Sequence, residues 1–210
     1  MAMFELHEST SNAPSVELGT ICEITAGPAG SLLKDLPDVG TGVPMVSPRD
    51  FTEFRTIDHS RLRRVPQAEA EKLERFSLRE NDIVMVRQGS LGGQALVSIR
   101  ETDWLYSSSC LRIRLRTTEV IPGYLSAYLT YSRSWVAFLQ QQTVGTTVPL
   151  LTSSALGKFP VVLPDVARQL AITEALQALD GQIAVEREII ARLASLRPSI
   201  VEVALEEAMQ

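Results

Sequence analysis

The feature that most constrains this chain lies near its end. From Asp165 onward, DVARQLAITEALQALDGQIAVEREIIARLASL is rich in strong helix formers. Apolar residues recur along it at intervals of seven, in two interleaved registers. Leu176, Ile183 and Ile190 form one register. Ile172, Leu179, Leu193 and Ile200 form the other, interrupted by Glu186. An a/d stripe of about four heptads belongs to a helix that buries one seam against another helix. At about 1.5 Å per residue, positions 165–197 would run for about 50 Å, further than a small domain is wide. Such a stripe needs a partner helix unless it folds back on its own domain. Asp165 follows Pro164 and can cap the N-terminus by accepting a backbone N–H. Gly181 weakens the helix by about 1 kcal/mol relative to Ala and leaves room for close approach. Pro198 removes a backbone donor, which predicts a kink or a new helix start near 198.

The preceding residues, 16–164, read as a β-rich globular domain, so the expected class is α+β with a long C-terminal amphipathic helix. Apolar runs there are short and bounded by Gly, Pro, Asn and Asp. VELGTICEITAG predicts a short helix or turn leading to a strand. NDIVMVRQGSLGGQALVSI predicts two strands around a glycine loop. CLRIRLR alternates strictly, with Leu111, Ile113 and Leu115 on one face and Arg112, Arg114 and Arg116 on the other. That is a half-buried strand with a basic outer face. IPGYLSAYLTYSRSWVAFLQQQ has helical spacing, with Pro122 suited to a first turn, and its aromatic rings suit core packing. A polar loop, QTVGTTVPLLTSS, leads to a short strand in LGKFPVVLP. Residues 1–15 read as a mobile tail.

Several chemistries lack their residues. The two cysteines, Cys22 and Cys110, stand in separate apolar stretches and read as buried thiols of a reducing cytoplasm. His7 and His59 are the only histidines, so clustered metal ligands are not expected. Phosphate-binding, dinucleotide-binding and nucleophile-elbow patterns are absent; around Ser90 the order is Gln88-Gly89-Ser90-Leu91-Gly92. The expectation is a chain without catalytic residues, metal or cofactor. No window offers the ~20 apolar residues of a membrane span. A nuclease built on Asp58, His59 and Glu80 is a minor alternative.

Net charge is −5, unpromising for nucleic acid taken alone. The charge is uneven, however. Positions 49–116 carry thirteen Arg and Lys against ten Asp and Glu, while 165–210 carry four against eight. The middle of the chain can face an anion and the tail cannot.

Three segments in this order resemble one family. VELGTICEITAG is followed by VPMVSPRDF; NDIVMVRQGSLGGQALVS is followed by SSSCLRIRLR; and TVGTTVPLLTSSALGKFPVVLPDVARQLAITEALQALDGQI closes the set. The chain is similar to a target recognition domain, with its trailing spacer helix, of the type I restriction-modification specificity subunit. The last segment carries the family's pattern most fully, in Leu163-Pro164, Gln169, Ile172, Leu179-Asp180 and Ile183. Arg87, Gly89 and Gly92 match its glycine loop. Ala167 and Arg168 depart from it where acidic residues are usual. The resemblance spans about residues 16–195 and one recognition domain where the usual subunit has two, which implies a half-size subunit.

The resemblance implies sequence-specific reading of double-stranded DNA in phage defence, a non-catalytic role, and a DNA adenine methyltransferase subunit as partner. A restriction subunit is a further possible partner. One small domain contacts few base pairs, each worth about 1–3 kcal/mol, so two domains at fixed spacing multiply selectivity. The implied homodimer would pair through Ile172, Leu176, Leu179, Ile183, Ile190 and Leu193, and an antiparallel pair would suit an inverted, bipartite target. For DNA contact the residues singled out are Arg87, Gln88 and Ser90 in the glycine loop, Lys34 and Arg49 in earlier loops, and Thr146 and Thr147 before the last strand. Arg to guanine and Gln to adenine are the bidentate pairings of a major groove, while Thr and Lys suit phosphates. Arg87 has a second reading, as a buried ion pair bracing its loop. Arg61, Arg63 and Arg64 suit a solvated or phosphate-facing surface. The competing function is a coiled-coil adaptor or acidic decoy that binds a methyltransferase without reading DNA.

Overall fold

The computed structural model describes residues 13–33, 37–145 and 147–208. Most of the expected tail, with His7, lies outside the described residues, as do Lys34 and Thr146. The strands in chain order are β1 (Ser15–Glu17), β2 (Cys22–Ala26), β3 (Val43–Val46), β4 (Arg63–Val65), β5 (Ile83–Val86), β6 (Gln94–Leu96), β7 (Leu105–Tyr106), β8 (Cys110–Leu115) and β9 (Pro160–Val162). The helices are α1 (Leu18–Ile21), α2 (Gly30–Leu33), α3 (Gln67–Lys72), α4 (Pro122–Tyr131), α5 (Arg133–Thr143), α6 (Ser153–Gly157) and α7 (Val166–Ala208). The fold is mixed α+β. Contacts divide it into two compact units, one ending at Leu170 and one beginning at Ala171.

In the first unit, β2-β8-β5-β6 form an antiparallel sheet. A second sheet has the order β4-β3-β7, with β3 and β7 parallel. β1 and β9 pair antiparallel, Ser15 opposite Val162. The apolar run of β5 follows from its position between two cores. Ile83 and Met85 join a cluster with Leu18, Leu125, Leu129, Trp135 and Phe159. Val84 joins another with Val46, Val65, Phe76, Leu105 and Tyr106. The helical segment 122–143 is a pair. Ser132 ends α4 and caps α5, its hydroxyl accepting from the Trp135 N–H at 3.2 Å. The Trp135 ring meets Phe159 edge-on at 5.1 Å, as core packing predicts.

One expectation is corrected. The arginine face of β8 is not an outer face. Leu111 and Ile113 do enter the first core, but the opposite side is covered by the second layer. Arg112 is 3% exposed. It donates to Glu23 at 2.7 Å and to the carbonyls of Arg75 and Ser77 at 3.2 and 3.1 Å. Arg114 grips the buried Asp82 with two hydrogen bonds of 2.7 Å. Buried guanidinium groups persist only when paired in this way. A second difference is α6, where a polar loop was expected; Thr152 caps it by accepting from the Ala155 N–H at 3.1 Å.

Asp165 caps α7 as its position predicts, accepting from the Arg168 N–H at 2.8 Å. The first unit reaches past Pro164 because Gln169, in the first turns of α7, is 1% exposed. α7 continues through Pro198, so no new helix starts there. The missing donor leaves the Ala194 carbonyl without its helical partner. In the second unit Leu179, Ile183, Ile190, Leu193 and Ile200 are exposed, together with Ile189 and Leu196.

Candidate nucleic-acid interface

The loops that hold the singled-out residues are tied to one another through their backbones. The Arg87 N–H donates to Ser109 at 2.9 Å, and the Arg87 carbonyl accepts from Leu151 at 2.7 Å. Gly89 donates to Pro149 at 3.1 Å, and Gln88 bridges Leu150. The glycine loop after β5 is thereby zipped to the segment that follows Thr147. Ser109 belongs to the short β7–β8 turn, which reaches two further loops. Ser107 donates to Val46 at 2.8 Å at the end of β3, and Gly27, just after β2, donates to Cys110 at 3.0 Å. The exits of β2, β3 and β5 and the entry of β8 thus form one rim. Gly27 is required there for close approach: a Cβ at this position would stand 2.0 Å from the Ser107 carbonyl oxygen.

The rim brings Arg87, Gln88 and Ser90 beside the loop of Thr147. Gln88, Ser90 and Thr147 are exposed and Arg87 is half-buried. Arg87 Nε is buried with no hydrogen-bond partner among the described residues, and Arg87 forms no ion pair there. The bracing ion pair considered for it is not found among the described residues. Arg49 lies three positions beyond Val46 in a 3-10 turn, Pro48–Asp50, with its side chain 67% exposed and Nε 3.5 Å from Asp50 Oδ1. Beside the glycine loop, a cleft of about 330 Å³ is lined by Ser90, Leu91, Gly92, Thr130, Val136 and Gln140. Gly92, at φ +101°, closes against Leu139.

Some of the charge elsewhere in the unit faces inward, at Asp50, Asp82, Glu101 and Arg112. Hydrogen bonding from Thr25, aided by Arg112, holds the Glu23 carboxyl below its ordinary value. Burial pushes the Cys22 and Cys110 thiols up to about 12, which leaves both protonated and unreactive. His59 Nε2 meets Glu101 Oε1 at 2.6 Å, while Glu80 lines a different cleft with Asp82 and Arg114. Asp58, His59 and Glu80 therefore do not share one cleft. No group of three His, Cys, Asp or Glu among the described residues is placed to hold a metal.

Two parts of the rim escaped sequence reasoning, Gly27 and the serines 107–109. Their signals, AGPAG and SSS, resemble ordinary turns until the strands beside them are known to pair.

Fold and rim together define an α+β scaffold: small sheets, polar side chains on converging loops, and a long terminal helix. The chain belongs to the type I restriction modification DNA specificity domain family, whose model matches residues 11–195. No curated protein gives a significant match. Among solved structures, a chain from a study of complex assembly and conformational transition in the type I R-M system is 20% identical, with TM-score 0.58, over 82% of this chain and 39% of that one. The HsdS subunit from Thermoanaerobacter tengcongensis is 20% identical, with TM-score 0.57, over 82% and 38%. The type I restriction-modification S subunit from M. genitalium is 15% identical, with TM-score 0.53, over 83% and 41%. At these identities the likeness is one of fold. The chain spans about two fifths of the length of each. No helix among the described residues is long and apolar enough to cross a membrane.

Proposed function

We propose that this chain is a non-catalytic, sequence-specific DNA-recognition subunit of a methyltransferase or restriction complex, reading a half-site and pairing with a second copy through α7. The observation that carries the reading is the rim. Among the described residues Arg87 has no acidic partner there, and it stands next to exposed Gln88, Ser90 and Thr147. Arg and Gln side chains offer the bidentate donors and acceptors that distinguish guanine and adenine in a major groove. Thr147, with Lys34 and Thr146, is assigned to phosphate contacts, and Arg49 to a base edge or phosphate at the same rim. Membership of the specificity-domain family supports the assignment. The adenine chemistry is assigned to a separate methyltransferase subunit, with a restriction subunit as a further partner.

Selection from random DNA duplexes tests this, with the purified chain alone and with its methyltransferase. The expected result is one enriched motif whose retention falls steeply with salt, because bound phosphates release counterions. Absence of an enriched motif under both conditions refutes the proposal. The competing reading, an acidic decoy, draws on the net charge of −5 and on the inward use of Arg112 and Arg114. A decoy binds the methyltransferase and retains no DNA at any salt.

A further inference from the structure

The stripe on α7 contains two charged interruptions, and they have opposite signs. Counting by heptads, Ile183, Ile190 and Arg197 occupy one seam position, and Leu179, Glu186, Leu193 and Ile200 the other. Residues 181–200 are exposed along their whole length. Glu186 accepts only an intrahelical hydrogen bond, from Gln182 at 2.9 Å, and Arg197 has no ion pair among the described residues. An acid and a base set into an apolar seam each lower its stability unless something neutralises them.

We propose that α7 pairs antiparallel with α7 of a second copy in a single register, centred between Ala191 and Arg192, in which Glu186 of each copy meets Arg197 of the other. This rests on the reading of the chain as a pairing DNA-recognition subunit and gives that pairing its direction and register. In antiparallel coiled coils one seam position of each helix faces the other seam position of its partner. With the two-fold axis between 191 and 192, Ile190 faces Leu193 of the second copy and Ile183 faces Ile200. Glu186 and Arg197 fill the layers between them. The two-fold repeats each pairing, so the layers run apolar, ionic, apolar, apolar, ionic, apolar over residues 183–200, about 27 Å of helix. Outside the seam, the same register sets exposed Ile189 against Leu196 of the second copy, which accounts for apolar residues that the stripe alone does not use.

Neighbouring registers do not have this property. A shift by one heptad sets Arg197 against Leu179 or Leu193, and parallel pairing sets Glu186 against Glu186 and Arg197 against Arg197. Either arrangement leaves charge unpaired in the seam, which is how a polar layer rejects wrong alignments.

The test is charge reversal in the full chain, read as the dimer dissociation constant by sedimentation. Unchanged helical circular dichroism serves as the folding control. E186R and R197E are each expected to weaken the dimer at least ~10-fold, the equivalent of about 1.4 kcal/mol. The double variant E186R/R197E restores it, as does an equimolar mixture of the two single variants. In parallel pairing the double variant gains nothing, because like charges still face each other. A double variant as weak as either single, singles that pair normally, or a wild-type chain that stays monomeric each overturns the proposal. Selection of an inverted repeat by a chain whose double variant is not rescued would sink the register while leaving the DNA-reading function intact. Loss of all motif selection would instead sink the function.

Discussion

The amide of Gln169 is locked onto the backbone of Ile121. Its Oε1 accepts from the Ile121 N–H at 2.9 Å, and its Nε2 donates to the carbonyls of Glu119 at 3.1 Å and Pro164 at 2.9 Å. Ile121 caps α4, so one side chain from the first turns of α7 satisfies an orphan donor at the start of another helix. That gives the Leu-Pro…Gln pattern a physical reason. Q169A would leave those partly buried backbone groups without their side-chain partner, at a cost of about 1–3 kcal/mol in all. The expected outcome is a clear fall in the thermal midpoint, measured by calorimetry, with no change in α7 pairing per folded chain. Q169E should fare little better, because the carboxylate cannot donate to the two carbonyls.

Arg87 and Arg112 separate function from stability. R87A should leave the melting temperature near wild type, since Arg87 has no ion pair among the described residues. It should cost about 1–3 kcal/mol of DNA affinity and relax preference at one base pair. R112A should do the reverse and destabilise the fold, because it strips partners from Glu23, Arg75 and Ser77. Parallel melting and binding measurements check both. An R87A variant that melts well below wild type, yet reads DNA unchanged at temperatures where it is folded, would show that the arginine serves only to brace its loop.

The same pair shows where sequence reading stopped. Alternation in CLRIRLR correctly placed Leu111 and Ile113 on a core face, because a pleated strand turns alternate side chains to opposite sides. It could not show that the other face was covered. The cover comes from Tyr106 of β7 and from the segment whose Arg75 and Ser77 carbonyls accept from Arg112, and the carboxylate that pairs with Arg112 is Glu23, 89 positions earlier in the chain. The helix, its Asp165 cap and the glycine loop depend on local spacing and were legible. The rim depends on non-local pairings such as Arg87 with Ser109 and Leu151, for which no short-range signal exists.

Gly27 should tolerate no side chain. A Cβ 2.0 Å from the Ser107 carbonyl oxygen meets backbone, so it cannot be relieved by a rotamer change. G27A must push β2 away from the β7–β8 turn, at a cost of about 1–3 kcal/mol or more. Because that turn also holds Arg87 through Ser109, DNA affinity should fall together with stability. G30A, where nothing lies within 4 Å, is the matched control and should change neither. Equal effects from the two substitutions in melting and binding assays would refute this account of the rim.

Glu101 predicts how the fold responds to acid. Burial alone would raise its carboxyl above the ordinary value of 4.5, but hydrogen bonds from Ser98 and His59 outweigh burial and hold it lower. The Ser98 N–H and hydroxyl donate to Oε2 at 2.7 and 2.5 Å, and His59 meets Oε1 at 2.6 Å. A carboxyl depressed by folding contributes stability that is present above its unfolded value and is lost as pH falls through the folded one. E101Q should therefore be less stable than wild type at pH 7 by about 1.5–3 kcal/mol, the usual worth of hydrogen bonds to a charged group. The gap should narrow as pH drops below the ordinary carboxylate value, because the wild-type side chain then also becomes neutral. Denaturant titrations of both proteins across that range check the sign. A gap that widened in acid would mean that Glu101 is protonated in the folded state and that its contacts with Ser98 and His59 do not stabilise the charge.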